Sequence, residues 1–156
     1  MGVSRDIVPA TVHRTWAADL DPRTLYEFLR LRVDVFVVEQ ACAYAELDGR
    51  DLEPGTRHYW LGGEGEPEPV LGYLRLLEEP DGTHRIGRLC TATAARGRGL
   101  GRRLMEAALA EIGDAPCVLD SQEHLAGFYR EHGFVPSGPP YDWDGVSHVP
   151  MRRPGP

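Results

Sequence analysis

The sequence predicts an α/β (α+β) fold, in which a mixed, mostly antiparallel central sheet carries helices on both faces. Two observations support this class. Short apolar runs with strand character alternate with amphipathic helical segments, and the first such runs are joined by turns of hairpin length. Because 156 residues, of which 42% are hydrophobic, are enough to bury a core, we expect a single domain over residues 1–156.

A first helix is predicted from about Pro22 to Val33. Asp21 is a good N-cap residue, and proline suits the first helical position that follows it. Apolar residues then recur at helical spacing: Leu25, Phe28 and Leu29. The β-branched run at 35–38 bends or ends this helix, and the polar segment 39–55 is expected to be irregular or to form a short second helix.

Three strands follow in a predicted antiparallel meander: Arg57–Leu61, Val70–Leu77 and Arg85–Thr91. The stretch between the first two, residues 62–67, has the glycine and proline content of a hairpin connection. A second turn signal, Glu79-Pro80-Asp81-Gly82, leads into the third strand. Most of the sheet is therefore expected to be antiparallel.

The second half of the chain is predicted to begin with a helix from Leu100 to Ile112, which starts directly on a glycine turn and stops at Gly113. A short strand at 117–119 comes next, followed by a helix at 123–132 that Gly133 closes. The last strands are predicted at 134–135 and 146–151, on either side of a loop rich in proline and glycine.

Charge and cysteine usage restrict the class of protein. A net charge of −7 argues against binding nucleic acid, since neutralising phosphates needs clustered Lys and Arg. The three cysteines, Cys42, Cys90 and Cys117, have no metal-ligand spacing and are odd in number, so we expect reduced thiols, no disulfide and no metal. Neither a membrane span nor a targeting peptide is recognisable, so we expect a cytoplasmic protein that does not act on a membrane.

The turn Arg96-Gly97-Arg98-Gly99-Leu100-Gly101 is the strongest functional signal. A strand precedes it and an amphipathic helix follows, which is the arrangement in which main-chain N–H groups and a helix dipole bind an anion. It is neither a dinucleotide fingerprint, because Arg102 stands where a glycine is needed, nor a Walker A loop, because the Lys is missing. Three glycines can also serve a tight turn alone, but the four nearby arginines in an acidic protein favour an anion site.

Two motifs resemble the GNAT acetyltransferase superfamily. Arg96-x-x-Gly99-x-Gly101 is similar to its pyrophosphate-binding motif, and Leu125-Ala126-Gly127-Phe128-Tyr129-Arg130-Glu131-His132-Gly133-Phe134 is similar to its aromatic-rich helix with a Gly-Phe ending. Within the superfamily the chain resembles the ElaA-like acyltransferases in three further stretches, at 31–49, 86–88 and 144–151. It departs from them at three positions: Ala43, Thr93 and Trp143.

The resemblance implies an acetyl-CoA-dependent N-acetyltransferase that transfers the acetyl group directly to a primary amine. The pantetheine arm would pair with the main chain of the strand before the turn, and Gln122 would lie at the edge of the site. The implied cofactor-binding residues are Leu89, Cys90, Thr91, Arg96, Gly97, Arg98, Gly99, Leu100, Gly101, Arg102 and Gln122. A packed thiol is the alternative for Cys90, and a solvated side chain for Arg102.

The catalytic residues implied by the resemblance are Tyr129, Glu46 and His148. Tyr129 matches the general acid that protonates the departing sulfur, the alternative being one more core aromatic. For the base we place Glu46 first and His148 second, ahead of the other candidates Glu39, Asp48, Asp142 and Asp144. The acids between 39 and 53 suggest a cationic acceptor, such as a small amine or a peptide or protein amino group.

Two questions stay open at this point. A noncatalytic acyl-CoA-binding sensor is the alternative function. Tyr129→Phe would lower the reaction rate of an enzyme, whereas a sensor has no reaction rate to lose. The sequence does not give the oligomeric state, and a homodimer is one possibility.

Overall fold

A computed structural model of the chain describes residues 10–42, 45–63, 65, 68–143 and 145–155. Eight strands in these ranges form one sheet: β1 Thr11–Trp16, β2 Arg57–Gly62, β3 Val70–Glu78, β4 His84–Thr91, β5 Cys117–Gln122, β6 Val135–Pro136, β7 Tyr141–Trp143 and β8 Val146–Arg153. Their order across the sheet is β1-β2-β3-β4-β5-β8-β6, with β7 also paired to β8. The pairings are antiparallel except that of β4 with β5, as the sequence predicts for most of the sheet.

Within the same described ranges, three α-helices accompany the sheet: α1 Pro22–Arg32, α2 Leu100–Ile112 and α3 Ala126–Arg130. The predicted cap of α1 is present, because the Asp21 carboxylate accepts a hydrogen bond of 3.0 Å from the Thr24 main-chain N–H. The chain then continues as a π-helical turn, Val33–Glu39, where the β-branched run was expected to bend or end the helix. No described helix is both long enough and apolar enough to cross a bilayer.

The helices lie on opposite faces of the sheet. Neighbouring residues of β3 show this, because Tyr73 packs with Phe28 of α1, whereas Leu74 belongs to the core that includes Leu104 of α2. Each of these four side chains is fully buried. The predicted placement of helices on both faces is therefore confirmed.

Strand β4 pairs irregularly with both of its neighbours, β3 and β5, and the candidate functional site lies beside these irregularities. Against β3, Tyr73 is opposite Cys90 but Arg75 is opposite Gly87, so β4 contains one extra residue. That bulge includes Arg88, whose φ of +55° is unusual for a residue other than glycine. On its other side, β4 pairs with β5 only at 84–85, and the two parallel strands then diverge towards their C-terminal ends.

Four features differ from the sequence prediction. Strands β1 and β7 were not predicted, the helix expected at 123–132 is a 3₁₀ turn at 123–125 followed by the short α3, and β6 begins at Val135 rather than Phe134. Gly127 lies within α3, and the run closes as predicted at Gly133, whose φ of +91° cannot continue a right-handed helix. The predicted hairpin connection at 62–67 lies partly outside the described residues.

Candidate active site

Two cavities meet at the diverging ends of β4 and β5. The first, of about 390 Å³, follows the glycine turn; we call it the cofactor groove, and it is lined by Leu89, Cys90, Thr91, Ala95, Arg96, Gly97, Gly99, Leu100, Gly101, Arg102, Leu125, Phe128 and Tyr129. The second, of about 380 Å³, includes side chains from the sheet face that carries α1, and we call it the acceptor cavity. Of the residues that the structure describes, three line both cavities: Leu89, Leu125 and Tyr129.

The glycine turn has the backbone that an anion site requires. Gly97 and Gly99 have φ values of +79° and +71°, which only glycine adopts without strain. Helix α2 begins directly after them at Leu100, and no described side chain caps it, so the first N–H groups of the helix stay available to a ligand. The positive end of the helix dipole therefore opens onto the cofactor groove.

The three arginines predicted to bind the cofactor differ in their surroundings. Arg96 is held by Glu39, with 2.7 Å between Nη2 and Oε2, and also donates to the main-chain oxygen of Thr91. Arg102 lines the groove and forms an exposed pair of 3.0 Å with Glu131. Arg98 is exposed and is not among the described residues that line the groove.

The main chain of β4 at 89–91 is open on the side that faces β5, because β5 pairs with β4 only at 84–85. Leu89, Cys90 and Thr91 all line the cofactor groove. Burial raises the pKa of the Cys90 thiol to about 12, so the sulfur is protonated at neutral pH and is a poor nucleophile. The packed-thiol interpretation of Cys90 fits this environment.

Tyr129 lies where the two cavities join. Its ring meets those of Phe128 and Phe134 edge to face, and only 8% of the residue is exposed. Burial raises the pKa of its hydroxyl far above the ordinary value, so the group carries its proton at neutral pH. Because Tyr129 lines both cavities and its hydroxyl is protonated, it is a candidate proton donor at their junction.

His148 lines the acceptor cavity together with Tyr129. Its Nδ1 lies 2.9 Å from the main-chain oxygen of Val146, and because a carbonyl can only accept, Nδ1 must be the protonated nitrogen. Nε2 of the neutral ring then holds a lone pair that can take up a proton. The ring stacks on Tyr141, with 5.7 Å between centroids, which fixes its orientation.

Glu46, the first candidate base, lies elsewhere. It is buried, and its carboxylate accepts hydrogen bonds from Arg32 Nε at 2.7 Å and Arg88 Nε at 3.1 Å. Glu46 is not among the described residues that line either cavity. The geometry therefore favours a structural role for this carboxylate.

The acids between 39 and 53 are paired with arginine. Glu39 contacts Arg96, Glu46 contacts Arg32 and Arg88, Asp48 contacts Arg75, Asp51 contacts Arg32 and Arg75, and Glu53 contacts Arg50. This removes the charge argument for a cationic acceptor, since the carboxylates are already neutralised. Of the remaining base candidates, Asp142 caps the turn at Gly145 through a 2.7 Å hydrogen bond, and Asp144 lies outside the described residues.

Comparison with known families decides the class of protein. A family model described as an acetyltransferase (GNAT) domain matches residues 26–154, which covers most of the chain. The chain belongs to the GNAT acetyltransferase family.

Individual relatives agree with this assignment. A UPF0039 protein of Mycobacterium tuberculosis is 56% identical over 147 residues, which cover 92% of this chain and 93% of that protein. The crystal structure of ElaA from Escherichia coli has a TM-score of 0.84 at 34% identity, and that of an acyl-CoA N-acyltransferase from Pseudomonas aeruginosa has a TM-score of 0.86 at 41% identity. Both comparisons cover 92% of this chain and 99% of the other. The resemblance to ElaA-like GNAT proteins is confirmed.

Membership in the GNAT family makes this chain an acyltransferase that uses an acyl-CoA donor. The cofactor groove and the diverging strands lie where the GNAT motifs were recognised in the sequence. Within the described residues, no three side chains of His, Cys, Asp or Glu are grouped so that they could hold a metal ion.

One contact of this GNAT domain was not foreseen from its sequence. Gln122, predicted at the site edge, lines the acceptor cavity and donates a hydrogen bond of 2.8 Å to the side chain of Gln40. The two glutamines are 82 residues apart in the chain, so neither residue signals the pairing by itself. Arg88 was likewise not predicted as a site residue. Its positive φ comes from the bulge in β4, and the sequence contains no recognisable signal for that bulge.

Proposed function

We propose that the protein transfers an acetyl group from acetyl-CoA directly to a primary amine, on a small molecule or on a peptide or protein. One observation carries the proposal. Tyr129, whose hydroxyl keeps its proton at neutral pH, lines both the cofactor groove and the acceptor cavity. A thioester that reaches this junction from one cavity would meet an amine that arrives from the other.

The donor would be held by main-chain groups more than by side chains. The N–H groups of the glycine turn and of the first turn of α2 suit the pyrophosphate, with Arg96 and Arg102 beside them. The open main chain at 89–91 suits the amides of the pantetheine arm. This use of the main chain would tolerate a cysteine and a threonine at positions 90 and 91.

The chemistry needs a neutral amine, a stabilised oxyanion and a protonated leaving group. In our proposal the amine nitrogen attacks the thioester carbonyl, and the C–S bond breaks as Tyr129 gives its proton to the departing sulfur. His148 Nε2 takes up the proton that the amine loses, through water, because its Nδ1–H is already committed to Val146. Glu46 is omitted from this scheme, since two arginines hold its carboxylate.

A thiol-release assay with acetyl-CoA and a panel of amines and peptides tests the proposal. Tyr129→Phe is expected to lower kcat by roughly 10²- to 10⁴-fold, the usual contribution of a general acid, while the Kd for acetyl-CoA stays unchanged. Tyr26→Phe is a matched control, because Tyr26 is 67% exposed on α1. Its rate should equal that of the unaltered protein.

Two outcomes would contradict the proposal. Acetyl-CoA that binds without thiol release from any acceptor would support the noncatalytic sensor. An unchanged kcat in Tyr129→Phe would remove Tyr129 from the chemistry and leave it as a core aromatic.

A further inference from the structure

We propose that Glu39 and Gln40, two consecutive residues at the end of the π-helical turn, couple the cofactor groove to the acceptor cavity, and that Glu39 lowers the affinity for the donor by competing with its pyrophosphate for Arg96. This inference rests on the proposed use of an acyl-CoA donor. We call the two residues the clasp, because each contacts a different side of the junction.

The first half of the clasp is the pair between Glu39 and Arg96. Both guanidinium nitrogens at the end of Arg96 reach the carboxylate, Nη1 to Oε1 and Nη2 to Oε2. Arg96 holds the pKa of Glu39 below its usual range, so the carboxylate is charged at any pH near neutrality. A permanent negative charge therefore lies beside the turn that is expected to receive a pyrophosphate.

The second half of the clasp is the bond between Gln40 and Gln122. The Gln122 side-chain amide donates to Gln40 Oε1 at 2.8 Å, and both residues line the acceptor cavity. Gln122 is the last residue of β5, the strand that diverges from β4. The bond thus links the end of the helical segment to the far edge of the gap between the strands.

The main chain makes the two halves depend on each other. The Gln40 N–H donates to the Val35 oxygen at 3.0 Å and the Cys42 N–H donates to the Phe36 oxygen at 2.9 Å, so the segment closes back on the π-helical turn. Ala41, between them, is held at a φ of +53°, where a residue other than glycine is strained. A displacement of Glu39 is therefore passed to Gln40 rather than absorbed by a loose linker.

Donor binding affects the clasp through charge. Phosphate oxygens accept bidentate hydrogen bonds from arginine as carboxylates do, so a pyrophosphate at the turn competes with Glu39 for Arg96. Glu39 is also repelled by the new negative charge. Breaking the contact between Glu39 and Arg96 costs free energy, and this cost lowers the net affinity for the donor. Once Glu39 is displaced, the clasp loosens one wall of the acceptor cavity.

Free CoA is the probe of choice, since it carries the pyrophosphate and needs no turnover. In Glu39→Gln the Kd for CoA, measured by isothermal titration, should be about two- to five-fold lower at low salt, as expected for removal of one exposed ion pair. The difference should shrink at high salt, because screening weakens exposed pairs. Hydrogen exchange at the Gln40 and Cys42 amides should accelerate when CoA binds the unaltered protein and should already be fast in Glu39→Gln without CoA.

Glu106→Gln is the matched control, because Glu106 is an exposed acid on α2 and its replacement changes the net charge equally. An equal tightening in this control would show that net charge, rather than the clasp, sets the affinity. Unchanged or weaker CoA binding in Glu39→Gln would overturn the competition, and tighter binding without a change in exchange would overturn the coupling. Failure of the unaltered protein to bind CoA would refute the proposed function itself.

Discussion

At the scale of single residues, replacement of Glu46 tests whether its carboxylate has a structural or a catalytic role. Its partner Arg32 is fully buried, so Glu46→Gln leaves a guanidinium with one compensating charge fewer. We expect a loss of about 2–3 kcal/mol in the free energy of unfolding, somewhat less than for complete removal of a buried partner because the amide oxygen still accepts. This corresponds to a fall in Tm of roughly 4–12 °C for a domain of this size, measurable by differential scanning calorimetry.

The matched control for Glu46→Gln is Glu131→Gln, which breaks an exposed pair with Arg102. Such a pair contributes little, so Tm should move by less than about 4 °C. The kcat of folded Glu46→Gln should stay within about three-fold of the unaltered protein, far from the roughly 10²-fold loss that follows removal of a general base. A large loss of kcat with an unchanged Tm would restore Glu46 as the base.

Tyr129 could be singled out from the sequence because it belongs to a local motif, and in the structure it lines both cavities. The contacts of Glu46 with Arg32 and Arg88 favour a structural role, and charge patterning along the chain does not reveal such partners, because they lie far apart in sequence. Arg88, for example, reaches Glu46 across 42 positions. The interactions of a carboxylate therefore had to be read from the folded structure.

At the scale of elements, a strained residue, Ala41, follows the end of the π-helical turn. Ala41 has a φ of +53°, a backbone that favours glycine at the C-terminal end of a helix. We expect Ala41→Gly to raise the free energy of unfolding by about 0.5–1 kcal/mol, because relief of the left-handed strain exceeds the extra freedom of glycine in the unfolded chain. Urea unfolding monitored by circular dichroism measures this difference.

Ala45→Gly is the control for that change, since Ala45 is exposed in the following segment and its φ is not positive. Glycine there only adds freedom to the unfolded chain, so stability should fall by up to about 1 kcal/mol. If Ala41→Gly destabilised the protein as Ala45→Gly does, the positive φ at Ala41 would carry no energetic cost.

Most elements were predictable because each has its own local signal. Helix α1 has its cap, α2 has its periodicity, and β2 to β4 are separated by turn residues. Strand β1 has no comparable signal: it is half-exposed and lies at the sheet edge, and its polar residues hide the alternation. The divergence of β4 from β5 is a tertiary feature, and no local pattern in the sequence encodes it.

At the scale of the whole molecule, buried charge connects the loop at 45–51 to the sheet. Arg32 and Arg75 come from α1 and β3, and both bind Asp51. Beside them His58 is fully buried. Its Nε2 donates to the main-chain oxygen of Asp51 at 2.9 Å, and its Nδ1 accepts from the Tyr73 hydroxyl at 2.6 Å. Such a network tolerates one protonation state, because each buried donor and acceptor has its partner only in that state.

The pH dependence of stability follows from the shifted pKa values of this network. Burial lowers the pKa of His58, with Arg32 and Arg75 adding to the shift, while its contacts with Asp51 oppose it. A lowered folded pKa means that the unfolded chain binds more protons, so the stabilisation is complete above the unfolded value of about 6.5 and declines as pH falls below it. Arginine contacts hold the pKa of Asp51 below its usual range, so a second decline should begin below about pH 4.

We therefore expect the free energy of unfolding to fall between pH 7 and 5, by at most about 1.4 kcal/mol per pH unit for each group that titrates. Urea unfolding at a series of pH values measures it. His58→Gln should be less stable at pH 7 and should show a shallower slope over this range, the remaining slope coming from groups such as His132, whose pKa burial also lowers. His124→Gln, an exposed control, should keep the full slope. An unchanged slope in His58→Gln would show that this histidine titrates alike in the folded and unfolded chain, contrary to its place in the network.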